Sequence, residues 1–544
     1  MSPSRPLLAR PMNAPTRVPS ARVVLQFACL IVIVTYALMM DLKGISTDEG
    51  VRLAVINGGQ PFTIHQPAAY ATWDQVMEAN WLLAYQPLYY LLLNSLMRIV
   101  HTQDVDFFRA INLAFLWLSL QGLLILSREW RLVPRLFLIG LFSFNAYLFM
   151  HVLQIREYIA GVAFYIWSTL LVLQLERREL RRPWGDIAWF ATYGLLLTAG
   201  FYLQSWVVFP AIGQSVFLLL RRQTQRLRFY AHLALSYLIV LTLSWPYLET
   251  HQQKIKVGLW ASENHSLWSH LANGFSLVLS GHLAGHSLFT GFLCVFWLAA
   301  MLAAGLLFFS RTRPVPGIRP AGEYRREGML IALCIAIPLA FQIGYFYQVE
   351  NLSVWPRYFI IHYFFATWLI ALVFRRLDEI RTAGASPARS RHLARIAGGV
   401  MLLVLTVSGC YQVRSYYRDP LLDTGTTPVS NWPNVSAEVA RVIRPGDVVV
   451  TSDFILRSTL TFTRPLPNPV LLQRELETSD LRAAERMVYL EALGFRPERE
   501  ALAARMQKLG FPAWQEIELH TPDGKIAIPD WRLVIFRRAS TPAG

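Results

Sequence analysis

Charge is what these 544 residues have least of. Asp, Glu, Lys and Arg together make up 16% of the chain, against about 25% in a soluble globular domain. Hydrophobic residues make up 54% and the mean hydropathy is +0.35. That leaves too little polar surface to clothe soluble cores, so a string of soluble domains is excluded. A disordered or collagen-like chain is excluded on the same ground. Cysteine is nearly missing: Cys29, Cys294, Cys334 and Cys410 are the only four, and each falls in an apolar segment. Without CxxC or Cys/His ligand spacing, neither a disulfide framework nor a structural zinc site is expected. Lysine is rarer still in proportion, five residues against 46 Arg, a bias that fits a GC-rich bacterial genome.

What charge there is has one sign and one place. The net charge is +16. Residues 413–544 hold 17 basic and 16 acidic side chains, so the first 412 residues carry 34 basic against 19 acidic. The excess belongs to the apolar part, where short basic loops set membrane topology. Nucleic acid is therefore not an expected partner.

Apolar runs of roughly spanning length lie at 23–40, 107–127, 136–154, 158–175, 187–203, 205–220, 230–247, 288–309, 328–347, 358–374 and 396–412. The first follows an Arg-rich tail and resembles a signal peptide. It lacks a small-residue cleavage site and is read as a membrane helix. With the N-terminus cytoplasmic, the tail and the stretches 128–135, 176–186, 221–229, 310–327 and 375–395 hold 26 of the 34 basic residues, as the positive-inside rule requires. Pro87–Val100 is only 14 residues, about 21 Å as a helix against a hydrocarbon core of about 30 Å. It is assigned to the outer interface, since counting it as a span would invert every later loop.

The expected fold class is an all-α polytopic membrane protein of about eleven transmembrane helices with a small C-terminal α+β periplasmic domain. Residues 1–22 form a cytoplasmic tail, 23–412 the membrane domain with a first periplasmic loop at 41–106, and 413–544 the soluble domain. In that domain Pro445-Gly446-Asp447 reads as a turn into a buried strand at Val448-Val449-Val450. Residues 478–493 and 498–509 read as helices, and Gln515–His520 with Lys525–Phe536 as a hairpin about Pro522-Asp523-Gly524. It contains no GxSxG, P-loop or metal-ligand cluster.

The apolar interiors carry essentially no Asp, Glu, Lys or Arg, unlike ion-coupled transporters. This turns attention to the outer surface. Asp48-Glu49 stands within a few residues of the first span. The pair suits a base site, because burial lifts a carboxylate pKa, and equally suits a solvated loop start or a helix N-cap. Tyr85-Gln86-Pro87-Leu88-Tyr89-Tyr90 opens the interfacial helix, and Arg109 begins the second span, as a pocket residue or as a snorkelling anchor. Arg156-Glu157-Tyr158 lies at the start of the fourth span. It forms either a local salt bridge or a site with Arg156 on a phosphate and Glu157 near a metal or sugar. Loop 248–287 offers Lys254 and Lys256 as phosphate or headgroup contacts. Its His265, His270, His282 and His286 match no HExxH pattern and read as a polar loop rather than a metal site. Arg357-Tyr358 enters the tenth span, where an arginine at the membrane surface can grip a phosphate diester in bidentate fashion.

In order and spacing these positions resemble the GT-C superfamily of integral-membrane glycosyltransferases, in particular the protein-O-mannosyltransferase and lipid A aminoarabinose-transferase branch. The resemblance rests on Asp48-Glu49 after the first span, Gln86-Pro87-Leu88-Tyr89-Tyr90, Phe107-Phe108-Arg109, Arg156-Glu157-Tyr158 and Arg357-Tyr358. Gln86 replaces the usual first proline of its motif, and Glu157 stands where a second Asp is common. The resemblance implies inverting transfer of a sugar from a polyprenyl-phosphate donor to a hydroxyl on a glycan, lipid or protein, on the periplasmic side of a bacterial inner membrane. Asp48, with Glu49 beside it, would supply the base. Arg357 and Arg156, with Lys254 and Lys256, would hold the donor phosphate, and Glu157, Tyr158, Tyr85, Gln86, Tyr89, Arg109 and Tyr358 would line the pocket. A divalent cation (Mg or Mn), if one is used, would sit on Asp48 and Glu157. A lipid-linked-sugar flippase and a non-catalytic membrane scaffold are the competing readings.

Overall fold

The computed structural model describes residues 19–40, 47–56, 71–83, 86–102, 104–180, 183–221, 226–255, 266–309, 321–348, 356–383, 387–418, 439–451, 468–473, 476, 479, 481, 484–492, 499–520 and 527–538. The chain enters as α1 (Pro19–Ala37), followed by three short helices, α2 (Thr47–Ile56), α3 (Trp73–Leu83) and α4 (Pro87–Val100). Then come α5 (Val105–Leu126), α6 (Leu132–Ser143), α7 (Ala146–Val152), α8 (Tyr158–Arg177), α9 (Pro183–Leu203) and α10 (Val208–Arg221). The helical part closes with α11 (Arg226–Ile255), α12 (Leu267–Ser280), α13 (Leu288–Phe309), α14 (Ala321–Gln348), α15 (Ile360–Thr382) and α16 (Ala388–Arg418).

Among the described residues, α5, α8, α11, α13, α14, α15 and α16 are long and apolar enough to cross a membrane, and α6 with α7 makes an eighth if the bent pair is one span. The chain is a multi-pass membrane protein. All eleven apolar runs coincide with helices; those in α1, α9 and α10 fall outside this group of eight. The helices α8 and α15 are apolar on every side and largely buried, while α11, α13, α14 and α16 keep most of their surface outward. That surface presents Leu227, Leu288, Val295 and Leu306. An aliphatic belt of this kind is stable against lipid, not water. Glycines allow the closest crossings: a Cβ on Gly194 of α9 would strike the Ser236 carbonyl of α11, and one on Gly213 of α10 the backbone of α14.

The run 136–154 does not form one straight helix. It bends by 68° between α6 and α7. A broken helix inside a membrane must have its backbone groups satisfied from within. Asn145 caps α7 by accepting from Tyr147 N at 2.9 Å and donates to Val278 O at 3.2 Å. Gln412 of α16 accepts from Ala146 N at 3.2 Å and donates to Ser280 O. Helices α12 and α16 are thus tied to the break. Loop 248–287, read from the sequence as a polar loop, contains α12, whose His270, Ser276 and Leu277 are buried. That expectation is corrected: α12 has an apolar face, and the interspersed His and Ser residues masked it.

The C-terminal residues form a five-stranded sheet in the order β2-β1-β3-β5-β4. The strands are β1 (Val448–Thr451), β2 (Val470–Leu472), β3 (Arg486–Ala492), β4 (Ala513–His520) and β5 (Ala527–Arg537), with α17 (Arg499–Lys508) between β3 and β4. Strand β1 runs parallel to β2 and β3; β5 pairs antiparallel with β3 and β4. The buried β1, the hairpin and the helix near 498–509 agree with the sequence. Among the described residues of 478–493 the expected helix does not form. Residues 486–492 are the central strand β3, whose Met487, Val488, Tyr489 and Leu490 are all buried, so two-sided burial overrides a helix-like Ala/Leu/Arg composition.

Candidate functional site

The site is assembled at one end of the bundle from α2, α4, α5, the α7–α8 connection and two short 3₁₀ turns, Ser205–Val207 and Pro356–Phe359. Its centre is Glu49. This side chain is fully buried in α2 and meets Arg109 of α5 side-on, with Nε to Oε1 and Nη2 to Oε2 both at 3.1 Å. Glu49 Oε1 also accepts from Ile155 N at 3.0 Å. Arg109 Nη1 reaches back to Met40 O at 2.9 Å and stands 3.7 Å from Asp106 Oδ1. A bidentate, doubly charged pair of this kind fixes orientation as well as distance. It ties the segment after the first helix, the second span and the approach to α8 to one another. The alternative reading of Arg109 as a snorkelling anchor is overturned, because the guanidinium is buried against a carboxylate. Asp48 precedes Glu49 in the first turn of α2, so its backbone is placed by the same anchor; its side chain lies outside the described residues.

The start of α4 supplies the next layer. Tyr90 OH donates to Glu157 Oε2 at 3.0 Å, and Tyr89 OH donates to Asn112 Oδ1 at 2.8 Å. Asn112 Nδ2 passes on to Gln154 O. Burial pushes the Tyr89 phenol well above its ordinary range, and the Glu157 carboxylate adds to the effect, so Tyr89 stays a neutral donor. Glu157 occupies the N-cap position of α8 without a side-chain cap bond. Its carboxylate is turned instead to the tyrosine. Asn94 donates to Ile56 O and Ala71 O, pinning the end of α2 onto α4. Gln86 donates to Ser205 Oγ at 2.8 Å, a bond that a proline in its place could not make.

Arg156 and Tyr158 are buried beside this layer. The Arg156 guanidinium carbon lies 5.9 Å from the Tyr158 ring centroid, and His151 packs edge-on against both Tyr147 and Tyr158 at 4.6 Å. Tyr358 stacks on Trp206 at 4.7 Å. Trp206 follows Ser205, so one 3₁₀ turn connects Gln86 on one side to Tyr358 on the other. Arg357 stands in the second turn, with its side chain outside the described residues.

The structure therefore brings Glu49, Arg109, Gln86, Tyr89, Glu157, Tyr158 and Arg156 together, with Tyr358 joined through Trp206. Lys254 ends in α11 without a described side chain, and Tyr85 and Lys256 lie outside the described residues. Sequence reasoning missed Arg52, Asn112, Ser205 and Trp206, and it marked Tyr90 in its motif without assigning it to the pocket. Arg52 is buried one turn beyond Glu49 in α2, and a charged residue three positions after an acidic pair was the only trace of it in the sequence. Among the described residues no group of three His, Cys, Asp or Glu side chains stands close enough to hold a metal. Of the two carboxylates expected to hold Mg or Mn, Glu157 is hydrogen-bonded to Tyr90, and the side chain of Asp48 lies outside the described residues. His282 and His286 stack face to face at 4.4 Å and belong to no such group.

No protein-family model matches the sequence, and no curated protein is found as a relative. Solved structures do match. The crystal structure of ArnT from Cupriavidus metallidurans in the apo state superposes with a TM-score of 0.54 at 12% identity, covering 96% of this chain and 99% of that one. ArnT from the same organism bound to undecaprenyl phosphate gives a TM-score of 0.51 at 12% identity, over 97% and 100% of the two chains. The chain has a GT-C-like fold, from the membrane helices through the C-terminal sheet.

Proposed function

We propose that this protein is an inverting glycosyltransferase that moves a sugar from a polyprenyl-phosphate-linked donor to a hydroxyl acceptor. The observation that carries the reading is the shared fold along nearly the whole chain with a protein whose structure holds undecaprenyl phosphate. In support stands the buried Glu49–Arg109 pair, which fixes the backbone next to Asp48. Asp48 takes the proton from the acceptor hydroxyl. The oxygen forms a bond to the anomeric carbon as that carbon's bond to the phosphate oxygen breaks, and polyprenyl phosphate departs with the electron pair. A phosphate diester needs charge neutralisation more than protonation, which suits Arg357 and Arg156, with Lys254 and Lys256 nearer the headgroups. Glu49 is a positioning residue: both its oxygens are engaged by Arg109, and one also by Ile155.

The same reading places eleven spans in a bacterial inner membrane, the N-terminus in the cytoplasm and residues 413–544 in the periplasm, with a glycan, lipid or protein as acceptor. The test is Asp48→Asn in the purified full-length protein. Transfer from a polyprenyl-phosphate sugar should fall on the order of 10²–10⁴-fold while donor binding is kept. Transfer at the wild-type rate would remove Asp48 as the base. Donor translocation without transfer, in wild type and variant alike, would make the protein a flippase.

A further inference from the structure

A cavity of about 360 Å³ opens at the end of the bundle opposite Glu49 and Arg109, between the C-terminal ends of α5 and α8 and the second turns of α9 and α14. Helix α5 has 22 residues, about 33 Å of rise, close to the thickness of a hydrocarbon core. With the candidate site at one boundary of the membrane, the cavity therefore stands at the other. Its polar wall carries Arg128, Arg177, Arg178 and Arg326 against Glu129 and Glu327, a surplus of two positive charges. Its floor is aliphatic, with Leu126, Leu170 and Leu173.

The wall is held in place from behind. Arg178 Nε lies 3.1 Å from Asp186 Oδ1, and its guanidinium covers the Trp189 ring at 5.1 Å. Arg326 Nη1 is 3.7 Å from Glu176 Oε2. Asp186 and Glu176 do not line the cavity, so they fix two of the guanidinium groups without occupying it. Trp189 and the buried Trp130 also line the cavity, at the interfacial depth at which aromatic side chains collect.

We infer that this cavity is a binding site for the headgroup of an anionic phospholipid, seated in the leaflet opposite the proposed active site. Guanidinium groups match a phosphate diester in charge and geometry. Inorganic phosphate shares that chemistry, but the leucine floor has use only for a ligand with an acyl-bearing end. The transfer reaction makes no use of these residues, so the inference stands or falls separately from the proposed function.

The full-length protein in a zwitterionic detergent is offered phosphatidylglycerol or phosphatidylcholine, and the lipid retained is counted by native mass spectrometry. Wild type should keep phosphatidylglycerol about tenfold better than phosphatidylcholine. Arg128→Gln/Arg177→Gln should lose most of that preference while keeping its elution profile. Photo-crosslinkable phosphatidylglycerol should label wild type in peptides covering 122–130 and 170–178, a result that decides the matter even if the double variant does not fold. Equal retention of both lipids, crosslinks confined to peptides that carry no residue of the cavity wall, or displacement of the lipid by millimolar inorganic phosphate would overturn the assignment.

Discussion

Glu49 and Arg109, sixty positions apart in the chain, form a buried side-on ion pair with two contacts of 3.1 Å. It anchors α2 to α5 and holds the backbone beside Asp48. Removing one partner of a buried pair strands the other charge, at a cost of about 3–5 kcal/mol. Glu49→Gln and Arg109→Met are each expected to lower the thermal midpoint of the detergent-solubilised protein sharply. The double variant should cost less than the two single losses together, because neither charge is stranded in it. Additive losses would show that the pair does not act as a unit.

Tyr90 and Tyr89 are neighbours with different partners, a carboxylate and a neutral amide. Hydrogen bonds to charged groups contribute about 1.5–3 kcal/mol, and neutral ones about 0.5–1.5 kcal/mol. Tyr90→Phe should therefore destabilise more than Tyr89→Phe in a denaturant titration. Only the Tyr90 change should alter the orientation of Glu157, read as the larger fall in transfer rate. Equal effects on both measurements would contradict the separate partners.

Gln86 stands where the related motif carries a first proline. Gln86→Pro should leave α4 intact, since Pro87 already begins it. The bond to Ser205 would be lost, at a cost of roughly 0.5–1.5 kcal/mol. Ser205→Ala should cause a loss of similar size, and combining the two changes should add little. Thermal shifts of the three variants check this.

Gly274 of α12 lies directly against the Phe359 ring, and a Cβ there would fall within the ring's van der Waals envelope. Gly274→Ala should push on the 3₁₀ turn that carries Arg357 and Tyr358. Misplacement of that turn should lower transfer on the order of ten- to a hundredfold in a protein that still purifies as a single species. Unchanged transfer would show that the turn does not position a reacting group.

The sequence by itself determined a membrane protein of many helices. Apolar length, the paucity of charge and the arginine asymmetry are one-dimensional quantities, and lipid reads them one segment at a time. It also marked the pieces of the site, Asp48-Glu49, Gln86–Tyr90, Arg109, Arg156–Tyr158 and Arg357-Tyr358, because polar residues at the ends of apolar runs stand out. Only the tertiary structure decided which of them meet. The pairing of Glu49 with Arg109, the turn of Glu157 toward Tyr90, the link from Gln86 through Ser205 and Trp206 to Tyr358, and the bend at Asn145 all join positions that no local pattern connects. The same holds for β3, where burial between two strands outweighs a helix-like composition. Propensity and periodicity act within a few residues, while a buried charge is satisfied by whichever element the fold carries to it.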